Sequence, residues 1–203
     1  TAAAGSLLPA ELVVRLVDAD ANGVPNTAVT WVVATGGGSV TPENTTTDDE
    51  GRTTAQWTLG DAVGEQRLDA VVSGVGVATF RATATAGAPA SLFIRTQPSP
   101  SARNGVALDR QPVIQVRDAR GNDVSAAGIP VSVAVEGGGE LGGTIQVNTD
   151  AAGRATFTNL SISGSPGPRT LVFTAPGYAS VISSGINLAA VATTTTITND
   201  SPD

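Results

Sequence analysis

Oxygen-bearing side chains recur at alternate positions in a segment near the start of the chain. Asp18, Asp20 and Asn22 stand there, and a glycine follows. This order is typical of the first half of a calcium loop, because hard Ca²⁺ prefers several oxygen ligands. The bidentate acid expected at about position 12 of such a loop falls on Val29, and the matching segment later in the chain has Arg120 in place of Asp20. The alternative prediction is a hairpin turn in which the Asn-Gly pair supplies two residues of positive φ.

Two other kinds of segment have the residue types of known sites but the wrong spacing. Asp48, Asp49 and Glu50 are consecutive, whereas the two carboxylates of a glycosidase are held roughly 5–10 Å apart across a cleft. We therefore predict a solvated turn here.

The triple glycines Gly36–Gly38 and Gly137–Gly139 would suit a phosphate loop, but neither is followed by Lys-Ser/Thr or by a helical segment. They predict bulged strand ends.

The composition excludes most classes of enzyme and nucleic-acid-binding protein. The chain has 203 residues and a formal charge of -7, its 11 basic residues are all Arg, and it contains no His, Cys, Met or Lys. It therefore offers no thiolate for a metal, no histidine base and no lysine for a Schiff base or a phosphate loop. An acidic chain with scattered Arg also lacks the basic surface that a phosphate backbone requires. We expect a non-enzymatic protein with no cofactor and no nucleic-acid partner.

Short β-rich runs dominate the chain, and Gly, Pro, Asn or Asp residues bound them. Leu12–Val17, Val29–Ala34 and Leu68–Ser73 are examples. No stretch sustains a helical period over three turns, and no apolar run approaches the roughly 18 residues of a membrane span. The pattern predicts an all-β fold of the sandwich type.

The chain contains an internal repeat. Leu12–Ala19 matches Pro112–Ala119, and Thr47–Arg52 matches Thr149–Arg154. The triple glycines lie between these segments in both copies. Each copy is about 100 residues long, which is the size of an immunoglobulin-like (Ig-like) sandwich. We therefore predict two domains, residues 1–88 and 89–192, which we call the first and second repeats, followed by a separate C-terminal strand at 193–203.

Alternation of apolar and polar residues in both copies predicts which positions face the core. Val14 and Leu16 are predicted to face inward, as are their matches Ile114 and Val116. Trp31 is predicted to lie in the core beneath the sheets. The predicted outward positions are Arg15 and Val17, with their matches Gln115 and Arg117. Arg52 and Arg154 also match each other, and we expect both to be exposed partners of nearby carboxylates.

The repeated order of motifs resembles the bacterial Ig-like domains that form the stalks of invasin- and intimin-type adhesins. The shared features are Asp-Ala-x-x-Asn, a Val-rich strand, Gly-Gly-Gly and Thr-Asp-x-x-Gly-Arg. The resemblance implies two tandem Ig-like β-sandwiches with a structural role on a bacterial surface or outside the cell. It does not extend to the terminal lectin-like domain with which some family members bind receptors.

The two repeats differ at their beginnings. The second repeat starts with a β-rich segment, Ser91–Gln97, whereas only four residues precede Gly5 in the first. The segment 194–203 matches that missing first strand, with Thr194 at the position of Ser91 and Ile197 at the position of Ile94. Two interpretations follow from this shifted frame.

In the first interpretation, the chain is a segment of a longer tandem array and residues 194–203 begin a third module. The start at Thr1 without Met likewise indicates a processed protein or a piece of a longer one. In the second, the chain is a filament subunit whose last strand completes the first repeat of the next subunit. The residues of this self-assembly strand are Thr194, Thr195, Thr196, Ile197, Thr198 and Asn199.

The expected function is therefore a structural repeat unit of an extracellular stalk, adhesin or filament. The expected partners are further copies of the chain or adjoining modules of an array. The alternative is a module of a larger secreted protein that binds a carbohydrate or a host receptor.

Overall fold

The computed structural model describes residues 1–190, and all of their regular structure is β-strand. Within this range no helix is long and apolar enough to cross a membrane. The all-β prediction is confirmed. The predicted self-assembly strand at 194–199 lies outside the described residues.

The chain divides into two compact units. The first comprises Thr1–Ala88 together with Asp118–Asn122, which is a turn of the second repeat. The second comprises Pro89–Arg117 and the residues from Asp123 onward.

Two sheets form the first unit. Its strands are β1 (Ala2–Ala3), β2 (Leu12–Arg15), β3 (Ala28–Thr35), β4 (Gly38–Thr41), β5 (Asn44–Thr46), β6 (Arg52–Leu59), β7 (Gly64–Val72) and β8 (Gly76–Thr85). One sheet has the order β1-β8-β7-β3-β5, and the other has the order β2-β6-β4. The β1–β8 pair is parallel, and the other pairs are antiparallel.

The core of the first unit lies between these sheets. Trp31 on β3 and Trp57 on β6 are its largest members, with 2% and 0% of their surface exposed. The indole Nε1 of Trp31 donates to Thr45 Oγ1 at 2.9 Å, which satisfies the ring's polar group. Phe80 packs against Trp31 with 5.8 Å between ring centroids. The predicted core position of Trp31 is confirmed.

The second unit repeats this plan with an additional strand at its start. Its strands are β9 (Ser91–Thr96), β10 (Ser101–Ala102), β11 (Val113–Arg117), β12 (Pro130–Glu136), β13 (Glu140–Gly142), β14 (Gln146–Asn148), β15 (Arg154–Thr156), β16 (Ser161–Ser163), β17 (Gly167–Thr174), β18 (Val181–Ile182) and β19 (Ile186–Leu188). The large sheet has the order β10-β19-β17-β12-β14, with β18 also on β17. The smaller sheets are β15-β11-β9 and β13-β16.

The predicted alternation on β11 holds for its inward side chains, because Ile114 and Val116 are fully buried. Gln115, predicted to face outward, is also fully buried. Its Nε2 donates to the carbonyls of Ala152 at 3.0 Å and Val124 at 3.4 Å, and also to the carbonyl of Val116 on β11 itself at 3.0 Å. Backbone from the loops that contain Ala152 and Val124 therefore covers the outer face of β11, which strand periodicity alone does not predict.

Arg154 lies beside Gln115, and its predicted role is wrong. Its Nε donates to Gln115 Oε1 at 3.2 Å, so its partner is an amide and not a carboxylate. The matching Arg52 is exposed and forms no ion pair with the described residues.

Candidate functional site: an open strand position in the first unit

Strand β9 covers one edge of β11 in the second unit. Leu92 pairs with Val116 and Ile94 pairs with Ile114 in an antiparallel register. Leu92 and Ile94 point inward and are 5% and 9% exposed. Because Leu92 and Ile94 close this side of the sandwich, their cross-strand neighbours Val116 and Ile114 have no exposed surface.

The matching edge of β2 in the first unit has no strand partner within residues 1–190. β2 pairs with β6 along its other edge only, from Leu12 opposite Ala55 to Arg15 opposite Arg52. Val14, which matches Ile114, is only half-buried. The β2 backbone and the apolar side chains that should lie beneath a covering strand are therefore accessible.

A groove of about 200 Å³ lies beside this open edge. Its apolar lining comes from β2, from β7 and β8, and from the turn between them. The apolar side chains that line it include Val14, Leu16, Ala70, Val72, Val75 and Ala78. Ala78 pairs with the buried Ala70 on the inner face of its sheet and is nevertheless exposed. The groove is thus the uncovered end of the core, which we call the β2 groove.

The second unit shows how a covering strand is held at this position. Arg110 Nε donates to the carbonyl of Gln97, just after β9, at 2.7 Å. Gln97 Oε1 accepts hydrogen bonds from the Ser184 N–H at 3.0 Å and the Ser184 hydroxyl at 3.2 Å. The loop before β11 and the loop between β18 and β19 therefore hold the end of the segment that begins with β9.

The candidate calcium segment forms a turn closed by its own side chains. Asp18 Oδ1 accepts the N–H groups of Asp20 at 3.0 Å and Asn22 at 2.9 Å. The Asn22 side chain donates to Asp18 Oδ2 at 3.2 Å. These bonds, above all the one from the Asn22 N–H, lower the pKa of Asp18. Within residues 1–190 no three acidic side chains are placed to hold a metal ion together, and the calcium hypothesis stays a prediction.

The type of this turn differs from the expected one. The residue with positive φ is Ala21, at 66°, and not the Asn-Gly pair. In the matching turn of the second repeat this position is Gly121, with φ of 85°. The side chain of Asp18, rather than an Asn-Gly bend, sets the geometry, because it bonds backbone groups two and four residues ahead.

The other segments singled out from the sequence form turns or strand ends. Asp48 Oδ1 accepts the N–H groups of Glu50 at 3.1 Å and Arg52 at 2.7 Å, which closes a turn in the acidic cluster. All three residues of Gly36–Gly38 and of Gly137–Gly139 have positive φ. These are the irregular strand ends expected of triple glycines.

Asp118, the match of Asp18, has a much more enclosed environment and is 4% exposed. It belongs to the first unit, where its Oδ2 accepts the Gly87 N–H at 2.9 Å. Burial opposes ionisation of the carboxyl group. Hydrogen bonds from the Gly87 N–H, from the side chain and N–H of Asn122 and from the Arg120 N–H outweigh it, and they lower the pKa of Asp118 from 3.8 to about 2.

This lowered pKa predicts a loss of stability in acid. Because the folded-state pKa is below the unfolded value, the stabilisation is present above about pH 4 and is lost as the pH falls towards 2. We expect Asp118 to contribute about 2 kcal/mol to the fall in unfolding free energy between pH 5 and pH 2. Urea unfolding of the wild type and of Asp118→Asn at both pH values measures this, with the exposed Asp109→Asn as control. Equal acid losses in Asp118→Asn and the wild type would contradict the assignment.

Comparison with known proteins identifies the fold. The D00-D0 fragment of intimin superposes with a TM-score of 0.50 at 14% identity, over 93% of this chain and 95% of the fragment. The chain has an Ig-like fold of the invasin and intimin type. No family model and no curated protein sequence matches it.

Other solved structures also align with the chain. The Escherichia coli adhesin FdeC does so with a TM-score of 0.48 at 19% identity, over 93% of this chain and 60% of that one. A β-glycosidase from Bacteroides vulgatus does so with a TM-score of 0.43 at 15% identity, over 87% of this chain. The chain spans only 24% of the length of that enzyme.

The repeated alternation on β2 predicts that Val14 and Leu16 face inward, but it predicts neither the groove nor its opposite wall. Val72, Val75 and Ala78 were not expected near them, because that requires the β7–β8 hairpin to reach the uncovered end of the core. The available signal was the Gly74–Gly76 turn between two β-rich runs.

Proposed function

We propose that the chain is a structural, non-enzymatic subunit of an extracellular bacterial surface stalk or filament. Copies join head to tail when the C-terminal strand of one copy, residues 194–199, adds to the open edge of β2 in the next. Main-chain hydrogen bonds supply affinity, and inward side chains fill the β2 groove. Because this contact joins different surfaces and does not close, it produces a fibre.

The observation that carries the proposal is the difference between the two units at one position. The second unit has β9, whereas no strand among residues 1–190 covers the matching edge of β2. An uncovered edge exposes unpaired N–H and C=O groups and is normally covered or blunted in native proteins. Val75 lines the β2 groove and is 69% exposed. A covering strand would therefore satisfy the backbone and remove apolar surface from water.

The internal repeat indicates which segment would cover the open edge of β2, namely residues 194–199. Alignment of Thr194 with Ser91 places Thr195 at the position of Leu92 and Ile197 at that of Ile94. Both matched residues of β9 face inward and are buried. We expect Ile197 to be the main apolar anchor in the β2 groove.

The aromatic residues favour this role over carbohydrate binding. Sugar recognition commonly uses an exposed aromatic face, but Trp31 and Trp57 are buried in the first core. Phe157 and Phe173 are fully buried in the second. Phe93 is 40% exposed, and Arg117 covers its ring at 3.4 Å from the centroid.

Truncation tests the proposal. We expect the full chain, Thr1–Asp203, to form fibres and higher oligomers, and a chain ending at Ala192 to stay monomeric. Sedimentation velocity and electron microscopy of both proteins measure this. The truncated chain should retain the circular dichroism of a β-sandwich, since β1 to β19 all end before residue 189.

Two outcomes would contradict strand donation. One is assembly by the truncated chain to the same extent as the full chain. The other is a monomeric full chain together with beaded rods in native material, which would make this sequence a segment of a continuous tandem array.

A further inference from the structure

Arg169 on β17 is a buried cation without a carboxylate partner within residues 1–190. It is 7% exposed and takes part in none of the ion pairs of that range. Its Nη1 donates to the Pro168 carbonyl at 2.8 Å and its Nη2 donates to the Ser165 carbonyl. Its Nε is buried and has no partner there. Its hydrogen-bond partners are neutral carbonyls, and Glu136, which lines the same cavity, forms no ion pair with it. A buried charge without a direct ion-pair partner is costly.

The first repeat fills the matching position with a neutral side chain. Gln66 on β7 is 1% exposed. Its Oε1 accepts the Gly60 N–H at 2.7 Å, and its Nε2 donates to the carbonyls of Gly60 at 3.2 Å and Ala62 at 2.9 Å. An amide is therefore sufficient to hold this corner of the fold, and holding the corner does not account for the charge of Arg169.

The matched turns of the two repeats indicate where a carboxylate could come from. Within the first unit, Arg120 Nε contacts Asp61 Oδ1 at 2.7 Å, and its Nη2 donates to the Gly5 carbonyl at 3.2 Å. Asn122 Nδ2 donates to the Asp61 carbonyl at 2.8 Å. The corresponding turn of the first repeat, Asp18–Asn22, is exposed at every residue.

The charge of the turn is reversed between the repeats, and the acid of the corner is absent from the second repeat. The first repeat has Asp20 where the second has Arg120, and the second repeat has Gly164 where the first has Asp61. Arg169 lies beside this glycine, because a Cβ placed on Gly164 would be 4.0 Å from the Arg169 Nη2. The acidic turn of one copy therefore complements the basic corner of another.

We propose that the Asp18–Asn22 turn of one copy docks on the Arg169 corner of the preceding copy, with Asp20 as the partner of the guanidinium. In this contact the acid is on the turn and the base is on the corner, the opposite of the Arg120–Asp61 pair, and the base is Arg169 beside Gly164, the match of Asp61. This inference rests on the proposed head-to-tail assembly and adds a second, polar contact to the strand contact. The strand supplies most of the affinity, and the Asp20–Arg169 pair fixes the orientation.

A double-mutant cycle on the full chain tests the pairing. We expect Asp20→Asn and Arg169→Gln each to weaken association about 3- to 10-fold, and the double variant to be no weaker than either single one. Glu65→Gln is the control, because it removes one negative charge from an exposed pair with Arg81. Sedimentation velocity at low and moderate salt measures association, and thermal unfolding checks the fold of Arg169→Gln.

Each outcome of this experiment decides a different point. If the wild type does not associate, the proposed function and this inference both fail. If the wild type associates and Asp20→Asn matches Glu65→Gln, the Asp20 contact is wrong and strand donation stands. Additive losses in the double variant would show that Asp20 and Arg169 act separately, which also overturns the pairing. If Arg169→Gln unfolds, the comparison of Asp20→Asn with Glu65→Gln still decides.

Discussion

A chain carrying Ile197→Asp is expected to remain monomeric under conditions in which the wild type forms fibres. The matched residue Ile94 is 9% exposed and pairs with the fully buried Ile114. An aspartate at that position of an added strand must place its carboxylate against the apolar β2 groove or leave the groove empty. Desolvation of an unpaired charge costs several kcal/mol, so we expect association to weaken by at least about 1,000-fold.

Thr196→Asp is the matched control for this prediction. Thr196 aligns with Phe93, whose side chain points away from the core and is 40% exposed. We expect fibres from Thr196→Asp in near wild-type yield, as seen by electron microscopy and sedimentation. Disruption by both substitutions alike, or by neither, would show that the alternation of residues 194–199 does not matter and that the proposed register is wrong.

The second large effect is expected for Ile94→Ala in the second unit, where β9 is already in place. Ile94→Ala should lower the unfolding free energy of the second unit by about 2–4 kcal/mol, because it removes buried methyl groups and leaves a cavity. Phe93→Ala on the same strand should cost about 1 kcal/mol or less, since it loses only a half-exposed ring and its contact with Arg117. The difference measures how much the inward side of β9 contributes.

Intrinsic fluorescence separates the two units in this measurement. Both Trp residues lie in the first unit, whereas Tyr178 lies in the second. Urea unfolding followed at the tyrosine and by circular dichroism should shift in Ile94→Ala, while the Trp transition stays in place. If Ile94→Ala costs no more than Phe93→Ala, then the inward side of β9 does not stabilise the second unit, and the first unit does not need an equivalent strand for its stability.

The features of the fold that could be predicted from the sequence are those whose residue patterns occur in both repeats. The inward positions on β11 and the core position of Trp31 follow from strand periodicity, which is a local property. The repeat also shows that Ser91–Gln97 matches residues 194–199 better than residues 1–4. These inferences required no knowledge of which strands pair.

The parts that sequence reasoning missed depend on contacts between distant segments. Gln115 alternates like an outward residue, but backbone from the Ala152 turn accepts its hydrogen bond and covers it. The far wall of the β2 groove comes from Val75 and Ala78, which are about 60 residues from Val14 in the chain. The positive φ at Ala21 was missed because Asp18 imposes it through side-chain hydrogen bonds, whereas an Asn-Gly pair is the stronger local signal.

Disulfide trapping in the full chain tests strand donation most directly, because the natural sequence contains no Cys. Phe93 pairs with Gln115 in the second unit, so Thr196 of one copy should lie opposite Arg15 of the next. Opposed residues in an antiparallel pair are within the span of a disulfide. The test protein carries Arg15→Cys with Thr196→Cys, and its control carries Arg15→Cys with Thr195→Cys, whose side chain points to the other face.

After mild oxidation, we expect a ladder of covalent dimers, trimers and longer species for the test protein on a denaturing gel. We expect little cross-linking for the control. A single monomer band for both proteins would contradict strand donation between copies, and equal ladders for both would contradict the register.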